Sequence, residues 1–207
     1  MAKLVVSEFL TLDGVMQGPG DPNEDRSGGF DRGGWQLAYF DDIFGGVLME
    51  GFAATGGYLL GRRTYEIFAA HWPNQPADDP LAATFNDSPK YVVSTTLREP
   101  LPWQNSIVIG DDVRGRIEQL KAEPGKDVQV IGSGQLVRML TREGLVDEYR
   151  FLIHPLVLGA GKRLFEETDA PVRLRLVDTK PTSTGVLIVS YVPERAASDQ
   201  AARSPQG

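Results

Sequence analysis

The stretch "YLLGRRTYEIF", Tyr58 to Phe68, sets a short apolar run, one glycine, two arginines and a threonine in immediate succession. The run reads as a buried strand and the residues after it as a helix, so both guanidinium groups fall where one becomes the other. A basic surface turn would explain them. So would a seat for a phosphate, because a helix start offers unpaired N–H groups and the positive end of the helix dipole. There Gly61 lets the backbone come close to a ligand, Thr64 can donate a hydroxyl, and Arg62 or Arg63 can fork a phosphate bidentately.

Working outward, the same alternation recurs. "KLVVSEF" (Lys3 to Phe9) is a strand for the middle of a sheet, and "KYVVST", "NSIVIG" and "DVQVIG" follow as further strands. "DDVRGRIEQLKAE" puts Val113, Ile117 and Leu120 on one helix face, with Asp111 or Asp112 at its start. "SGQLVRMLTREG" is a helix that ends at Gly144. Trp35 to Thr55 is helical in pattern, with Gly45-Gly46 expected to interrupt or divide it. "VDEYRFLIHPLVL" reads as a long strand, with Pro155 marking a bend or irregular edge within it. "VRLRLVDTKPTSTGVLIVSYV" alternates about a turn at Thr182 to Gly185, which makes an antiparallel pair. Strands separated by helices call for a three-layer α/β fold, a mainly parallel mixed sheet with helices on both faces. Residues 1–192 are expected to form one domain and 193–207 a disordered tail.

Composition narrows the function. The 207 residues carry 21 Lys and Arg against 28 Asp and Glu, a formal net charge of -7, which argues against a nucleic-acid partner. A local anion site is still compatible with that balance. There is no cysteine and there are two histidines, so thiolate chemistry, disulfides and a clustered metal site are not expected. "MAKLVVSEFL" reaches Glu8 before any long apolar stretch, which fits neither a signal peptide nor a membrane span. The expectation is a soluble, cytoplasmic protein without a membrane partner.

Three strand ends share a chemistry. Gly61, Arg62 and Thr64 follow one strand, Ser94 and Thr95 another, and Gly132, Ser133 and Gly134 a third. Open α/β sheets bind ligands at the carboxyl ends of their strands, so one extended phosphate-bearing ligand would account for all three. A lone G-x-G is weak as a motif and lacks the full dinucleotide fingerprint. No carboxylate stands where NAD would favour one; "YVVSTT" supplies hydroxyls.

The order and wording of "FLTLDGVM", "LLGRRTYE", "PKYVVSTTL", "VIGSGQLVRML" and "GLVDEYRFLIHPLVLGAGKRLF" also resemble a known family. The chain is similar to the dihydrofolate reductase-like superfamily, in the branch containing the C-terminal reductase domain of the bacterial riboflavin-pathway deaminase-reductase. That resemblance implies an eight-stranded, mainly parallel sheet, NADPH as cofactor, and a small heterocycle as substrate, most of all a 5-amino-6-(5-phosphoribosylamino)uracil-like pyrimidine. Dihydrofolate reduction and non-catalytic nucleotide binding are the alternatives.

By position, the resemblance places Gly61, Arg62, Arg63 and Thr64 against the cofactor phosphates and Ser94 and Thr95 toward the adenosine 2'-phosphate. It places Gly132, Ser133, Gly134, Gln135 and Leu136 at the pyrophosphate. Leu12, Asp13 and Gly14 fall where nicotinamide and substrate meet, and the glycine-rich loop Gln17 to Gly34 where dihydrofolate reductases carry a mobile loop. Asp13 is one catalytic candidate. Asp42 is the other, on the first helix with Asp41 and Glu50, because dihydrofolate reductases grip the pterin with an acid there. His154, Lys162, Arg163, Trp35 and Tyr39 are further substrate-side candidates, each with an ordinary packing or surface role as its rival. Relatives of this kind often pair, so a homodimer through Tyr149 to Val192 is expected.

Overall fold

The computed structural model describes residues 1–76, 78–166 and 171–194. Side chains alternate along the first strand, β1 (Leu4–Thr11), so Leu4, Val6 and Leu10 join one core cluster while Phe9 packs on the other face. The parallel strands β2 (Thr55–Gly61), β3 (Lys90–Val93), β4 (Ser106–Ile109), β5 (Asp127–Ile131) and β6 (Glu148–His154) repeat the pattern. β7 (Leu174–Pro181) and β8 (Leu187–Pro193) close the chain as an antiparallel pair. The eight strands form one sheet in the order β4-β3-β2-β5-β1-β6-β8-β7, with β8 antiparallel to β6.

Helices cover both faces. α4 (Val113–Ala122) and α5 (Gly134–Arg142) bury Ile117, Leu120, Leu136, Val137 and Leu140 against Leu59, Val130 and Val6. On the opposite face, α1 (Asp42–Ala53), α2 (Arg62–His71) and α3 (Pro80–Asp87) contribute Phe44, Tyr65 and Phe85, which pack with Tyr58, Leu60, Val92 and Leu152. This is the three-layer arrangement the alternation of elements predicts. No helix among the described residues is long and apolar enough to cross a membrane.

Four local expectations are corrected. Gly45-Gly46 does not divide α1, which begins at an Asp41 cap and continues through both glycines. A Cβ at residue 45 would stand 3.1 Å from the Phe40 ring, so glycine there admits an aromatic contact rather than ending the helix. β6 is not bent at Pro155; it stops at His154, and Leu156 N–H bonds the His154 carbonyl in a tight turn. The alternation in the last pair breaks at a register shift between Leu176 and Asp178. At the C-terminus β8 runs to Pro193 and Glu194 N–H bonds the Arg173 carbonyl, so the first two residues assigned to the tail belong to the sheet. Residues 195–207 lie outside the described residues.

Candidate functional site: a cleft across the strand ends

The carboxyl ends of β2 and β5 lie side by side, and their two turns are built into one another. Gly61 N–H donates to Ser133 Oγ over 2.9 Å. Gly132 and Ser133 both take left-handed backbone, with φ of 61° and 65°. A Cβ on Gly132 would approach Thr64 Cγ2 and Oγ1 to 3.0 Å, so only glycine lets the α2 start and the α5 start meet without displacing Thr64. A Cβ on Gly134 would come within 2.7 Å of Met16 Sδ, which brings the segment after β1 to the same place.

Arg62 extends the junction to β3, its Nη1 lying 3.4 Å from Thr96 Oγ1 and its Nε 3.8 Å from Glu66. Arg63 is exposed and makes no ion pair among the described residues. Ser94 is buried, and its hydroxyl accepts the Thr96 and Leu97 N–H groups at 3.2 and 3.1 Å, holding the "STT" turn in shape. Thr96, two residues on, is the hydroxyl that meets the arginine. The motif itself carried the signal, since all three residues of "STT" bear hydroxyls.

Gly61 to Thr64, Ser94 to Thr96 and Gly132 to Leu136 line one cleft of about 1760 Å³. A pocket for one small ligand encloses roughly 300–1,000 Å³, so this one has space for a dinucleotide and a second molecule. Beyond the glycine turns its walls become apolar, with Val47, Leu48 and Phe52 of α1 opposite Ile67 of α2. Three polar side chains interrupt that lobe: Ser7, Gln129 and Arg150. Gln129 Nε2 donates to the Gly51 carbonyl over 3.1 Å, and Arg150 Nη2 to Glu148 over 3.0 Å. A Cβ on Gly51 would stand 3.2 Å from Arg150 Nη1, so the helix is notched above this guanidinium.

Both acids singled out from sequence lie elsewhere. Asp13 does not line the cleft; its Oδ1 accepts from the Thr11 hydroxyl (2.6 Å) and Leu158 N–H (3.1 Å), and its Oδ2 from Gly159 N–H (2.9 Å). The Thr11 hydroxyl leads in holding its carboxyl down at about 2, with the two amides supporting, so Asp13 is an ionised clasp rather than a proton carrier. Leu12 is exposed and Gly14 is a left-handed turn residue, and both face the Leu156–Leu164 segment instead. Met16 to Asp21 takes their place as the cleft wall. Asp42 is exposed in the first turn of α1, and neither it nor Glu50 borders the cleft. Asp41 caps Phe44 N–H and accepts from Ser183 and Thr184, the Ser183 hydroxyl doing most to lower its pKa.

Of the remaining candidates, His154, Trp35 and Tyr39 are structural, while Lys162 and Arg163 border the cleft, Arg163 with its Nε donating to the Asp13 carbonyl over 2.9 Å. His154 is fully buried, with Nδ1 2.9 Å from the Leu152 carbonyl and 3.1 Å from that of Leu10, so Nδ1 carries the proton. Burial lowers its pKa, and Trp35, Tyr39, Phe44 and Phe9 surround the ring. Trp35 and Tyr39 thus pack on a histidine instead of presenting a face to a ligand. Lys162 does border the cleft, but its Nζ is held at 2.6 Å by both Asp25 and Ser27. The Gln17–Gly34 loop is pinned by the buried Gln17, which reaches Asp25, Ser27 and Lys162 through its amide while its carbonyl accepts from Trp35. Its first half, Gln17 to Asp21 with Asn23 to Asp25, lines the cleft.

Sequence reasoning missed Glu8. It stands on β1 in the row of Leu4, Val6 and Leu10, is 3% exposed, and borders the cleft beside the Gly132 turn. The Gly132 amide acts to lower its pKa, while Oε1 is buried without a partner. Burial, the larger effect, pushes its pKa well above the ordinary carboxylate range. The signal available was a lone acid within "LVVSEFL", a strand whose neighbours are otherwise all fit for a core. Among the described residues no three His, Asp or Glu side chains converge as a metal site would need.

Comparison with known proteins places this geometry in context. The family model described as RibD C-terminal domain matches residues 2–188. The uncharacterized protein YyaP of Bacillus subtilis (strain 168) is 34% identical over 192 residues, covering 91% of this chain and 94% of that one. A Shewanella sp. PV-4 protein provisionally assigned to riboflavin biosynthesis shares the fold with a TM-score of 0.71 at 19% identity, over 93% of this chain and 99% of its own. Dihydrofolate reductase from Enterococcus faecalis, solved with NADP(H), superposes with a TM-score of 0.57 at 15% identity over 93% and 97% of the two chains. The fold is therefore dihydrofolate reductase-like, as the sequence resemblance implied.

Proposed function

The chain belongs to the RibD C-terminal domain family, and on that premise we propose that it is an NADPH-dependent reductase of a small heterocycle. The observation that carries this reading is the joined turn Gly61–Ser133, with Arg62 and Arg63 at its rim and a cleft large enough for two ligands. NADPH, when bound, supplies the hydride. The chain's own part is placement: Arg62 to Thr64 and Gly134 to Leu136 offer helix-start N–H groups to phosphates, and Arg62 or Arg63 supplies the fork for the 2'-phosphate. The apolar walls of Val47, Leu48 and Phe52 exclude water and hold a flat acceptor, while Ser7, Gln129 and Arg150 give it polar anchors.

The acceptor we favour is an aminopyrimidine of the 5-amino-6-(5-phosphoribosylamino)uracil kind, in keeping with the family. Dihydrofolate reduction is disfavoured by α1, which turns apolar residues and Gly51 to the cleft and no carboxylate. The test is to titrate the protein with NADPH by calorimetry, then screen acceptors by loss of the cofactor's near-ultraviolet absorbance. Saturable binding followed by turnover of one pyrimidine supports the reading. Absence of NADPH binding overturns it, and binding without turnover of any heterocycle returns the protein to nucleotide binding alone.

We further propose a homodimer through the C-terminal strands. Leu176, Val177 and Leu187 leave exposed apolar surface on β7 and β8, the outer edge of the sheet. Light scattering at micromolar concentration is expected to give twice the 22.6 kDa chain mass; the monomer mass would refute it.

A further inference from the structure

We propose that Glu8 is a neutral hydrogen-bond donor to the pyrophosphate of the bound cofactor, so that nucleotide binding is coupled to proton uptake at this one carboxyl. The inference rests on the NADPH-binding reading above and assigns a residue that the glycine-turn motif does not contain. Three observations lead to it. Glu8 is 3% exposed, yet it borders the cleft one residue past the Ser7–Ile131 pair, which sets it beside Gly132 at the start of the turn assigned to the phosphates. Its Oε1 is buried with no partner, an arrangement that costs free energy unless a ligand completes it. Among the described residues no cation pairs with it.

The neighbouring groups bear that out. On β6 the residue paired with Glu8 is the apolar Phe151, and Tyr149, paired with Val6, donates its hydroxyl to Thr141 Oγ1 at 2.8 Å. On α5, Arg138 is committed to the Arg163 and Leu164 carbonyls at 3.2 Å each and to Glu166 at 3.5 Å. On β5, Val130 beside Val6 is apolar, and the chain opposite Glu8 is the Gly132 turn itself. The carboxyl is thus held in a buried place beside the Gly132 turn, and burial favours the neutral acid. The neutral acid brings an O–H to the partnerless Oε1 position, a donor without an acceptor among the described residues. A pyrophosphate oxygen at the turn provides one. An ionised Glu8 would instead set a negative charge against the phosphates in a site of low dielectric.

The sign follows directly. As pH rises through the pKa of Glu8, wild-type affinity for NADPH falls; because binding favours the neutral form, it takes up protons there. Glu8→Gln keeps the shape, an acceptor and a donor, but cannot ionise. Calorimetry with NADPH compares the two proteins at stepped pH from mildly acid to alkaline, the direction in which burial moves this carboxyl. The ratio of their affinities cancels titration of the nucleotide itself. We expect near-equal affinities at the acid end and wild type weaker by about 10-fold or more at the alkaline end. Wild type alone, titrated in two buffers of different ionisation heat near pH 8, is expected to show net proton uptake, which keeps the test open should Glu8→Gln fold poorly. A constant affinity ratio with no proton uptake, while NADPH still binds, overturns the role of Glu8 and leaves the reductase reading standing. A wild type that binds no NADPH overturns both.

Discussion

Gly61 and Ser133 are 72 residues apart in the chain and share a 2.9 Å hydrogen bond from amide to hydroxyl. That bond makes one surface of two helix starts. The Ser133 hydroxyl lies 3.4 Å from the Ile131 carbonyl as well, so it bridges both strand ends. Ser133→Ala removes only the bridge, since alanine and serine meet the same penalty at positive φ. We expect a stability loss of about 1 kcal/mol in chemical denaturation. NADPH and NADH should weaken together, because the turn faces what the two nucleotides have in common. A variant that weakens one cofactor alone would contradict the shared-surface reading.

Asp13 makes an acid-sensitive clasp. Its folded pKa of about 2 lies below the ordinary 3.8. A depressed carboxylate contributes stability that is complete above its unfolded value and is lost as pH falls through its folded value. The window is therefore about pH 4 down to about pH 2. Asp13→Asn should be less stable than wild type at neutral pH, on the order of 1 kcal/mol given its partial exposure, and the gap should close across that window. Thermal melts of both proteins at stepped pH decide it, and a gap that is constant with pH would refute the clasp.

Lys90 is buried without an acid partner in contact. Its Nζ donates to the Phe85 and Asn86 carbonyls at 2.9 and 3.0 Å and lies 4.2 Å from the Trp103 ring centre, which ties the last turn of α3 to β3. Lys90→Met retains most of the volume but leaves both carbonyls short of a donor. The expected loss is about 2–3 kcal/mol, read as a lower urea midpoint at unchanged slope. An unchanged midpoint would mean that other donors replace the ammonium.

The sheet was legible because each strand carries its own period and each helix its own face: "DVQVIG" and "SGQLVRMLTREG" need no distant partner to be read. The glycine turns were legible for the same reason, since G-x-G after a strand is a local statement. What failed was the assignment of single polar side chains whose partners lie far along the chain. Asp13 reads as a substrate-edge acid until Leu158 and Gly159 bring their amides to it. Asp41 is taken up by Ser183 and Thr184, and His154 by an aromatic wall drawn from β1, α1 and the segment before α1. Glu8 was invisible for the converse reason: a single acid in a strand looks like an exposed edge position until the helix above it is placed.

Cofactor choice is the most exposed consequence. The 2'-phosphate that distinguishes NADPH from NADH is dianionic near neutrality, whereas the chain carries a formal net charge of -7. Long-range attraction cannot supply a preference, so a local fork must. Arg62 reaches toward Thr96 at 3.4 Å and is only loosely paired with Glu66 at 3.8 Å, while Arg63 is unpaired among the described residues and also borders the cleft. A charge-assisted hydrogen bond contributes roughly 1.5–3 kcal/mol, so losing one should weaken NADPH by about 10- to 100-fold. Arg62→Ala or Arg63→Ala should do so while leaving NADH affinity nearly unchanged. Thr64→Ala is the contrast: its side chain packs on Gly132, so its loss should loosen the junction and weaken both nucleotides alike. Calorimetric titration of wild type and the three variants with both nucleotides separates these outcomes. Equal wild-type affinities for NADPH and NADH, or arginine variants that weaken both equally, would return Arg62 and Arg63 to the pyrophosphate or to the surface.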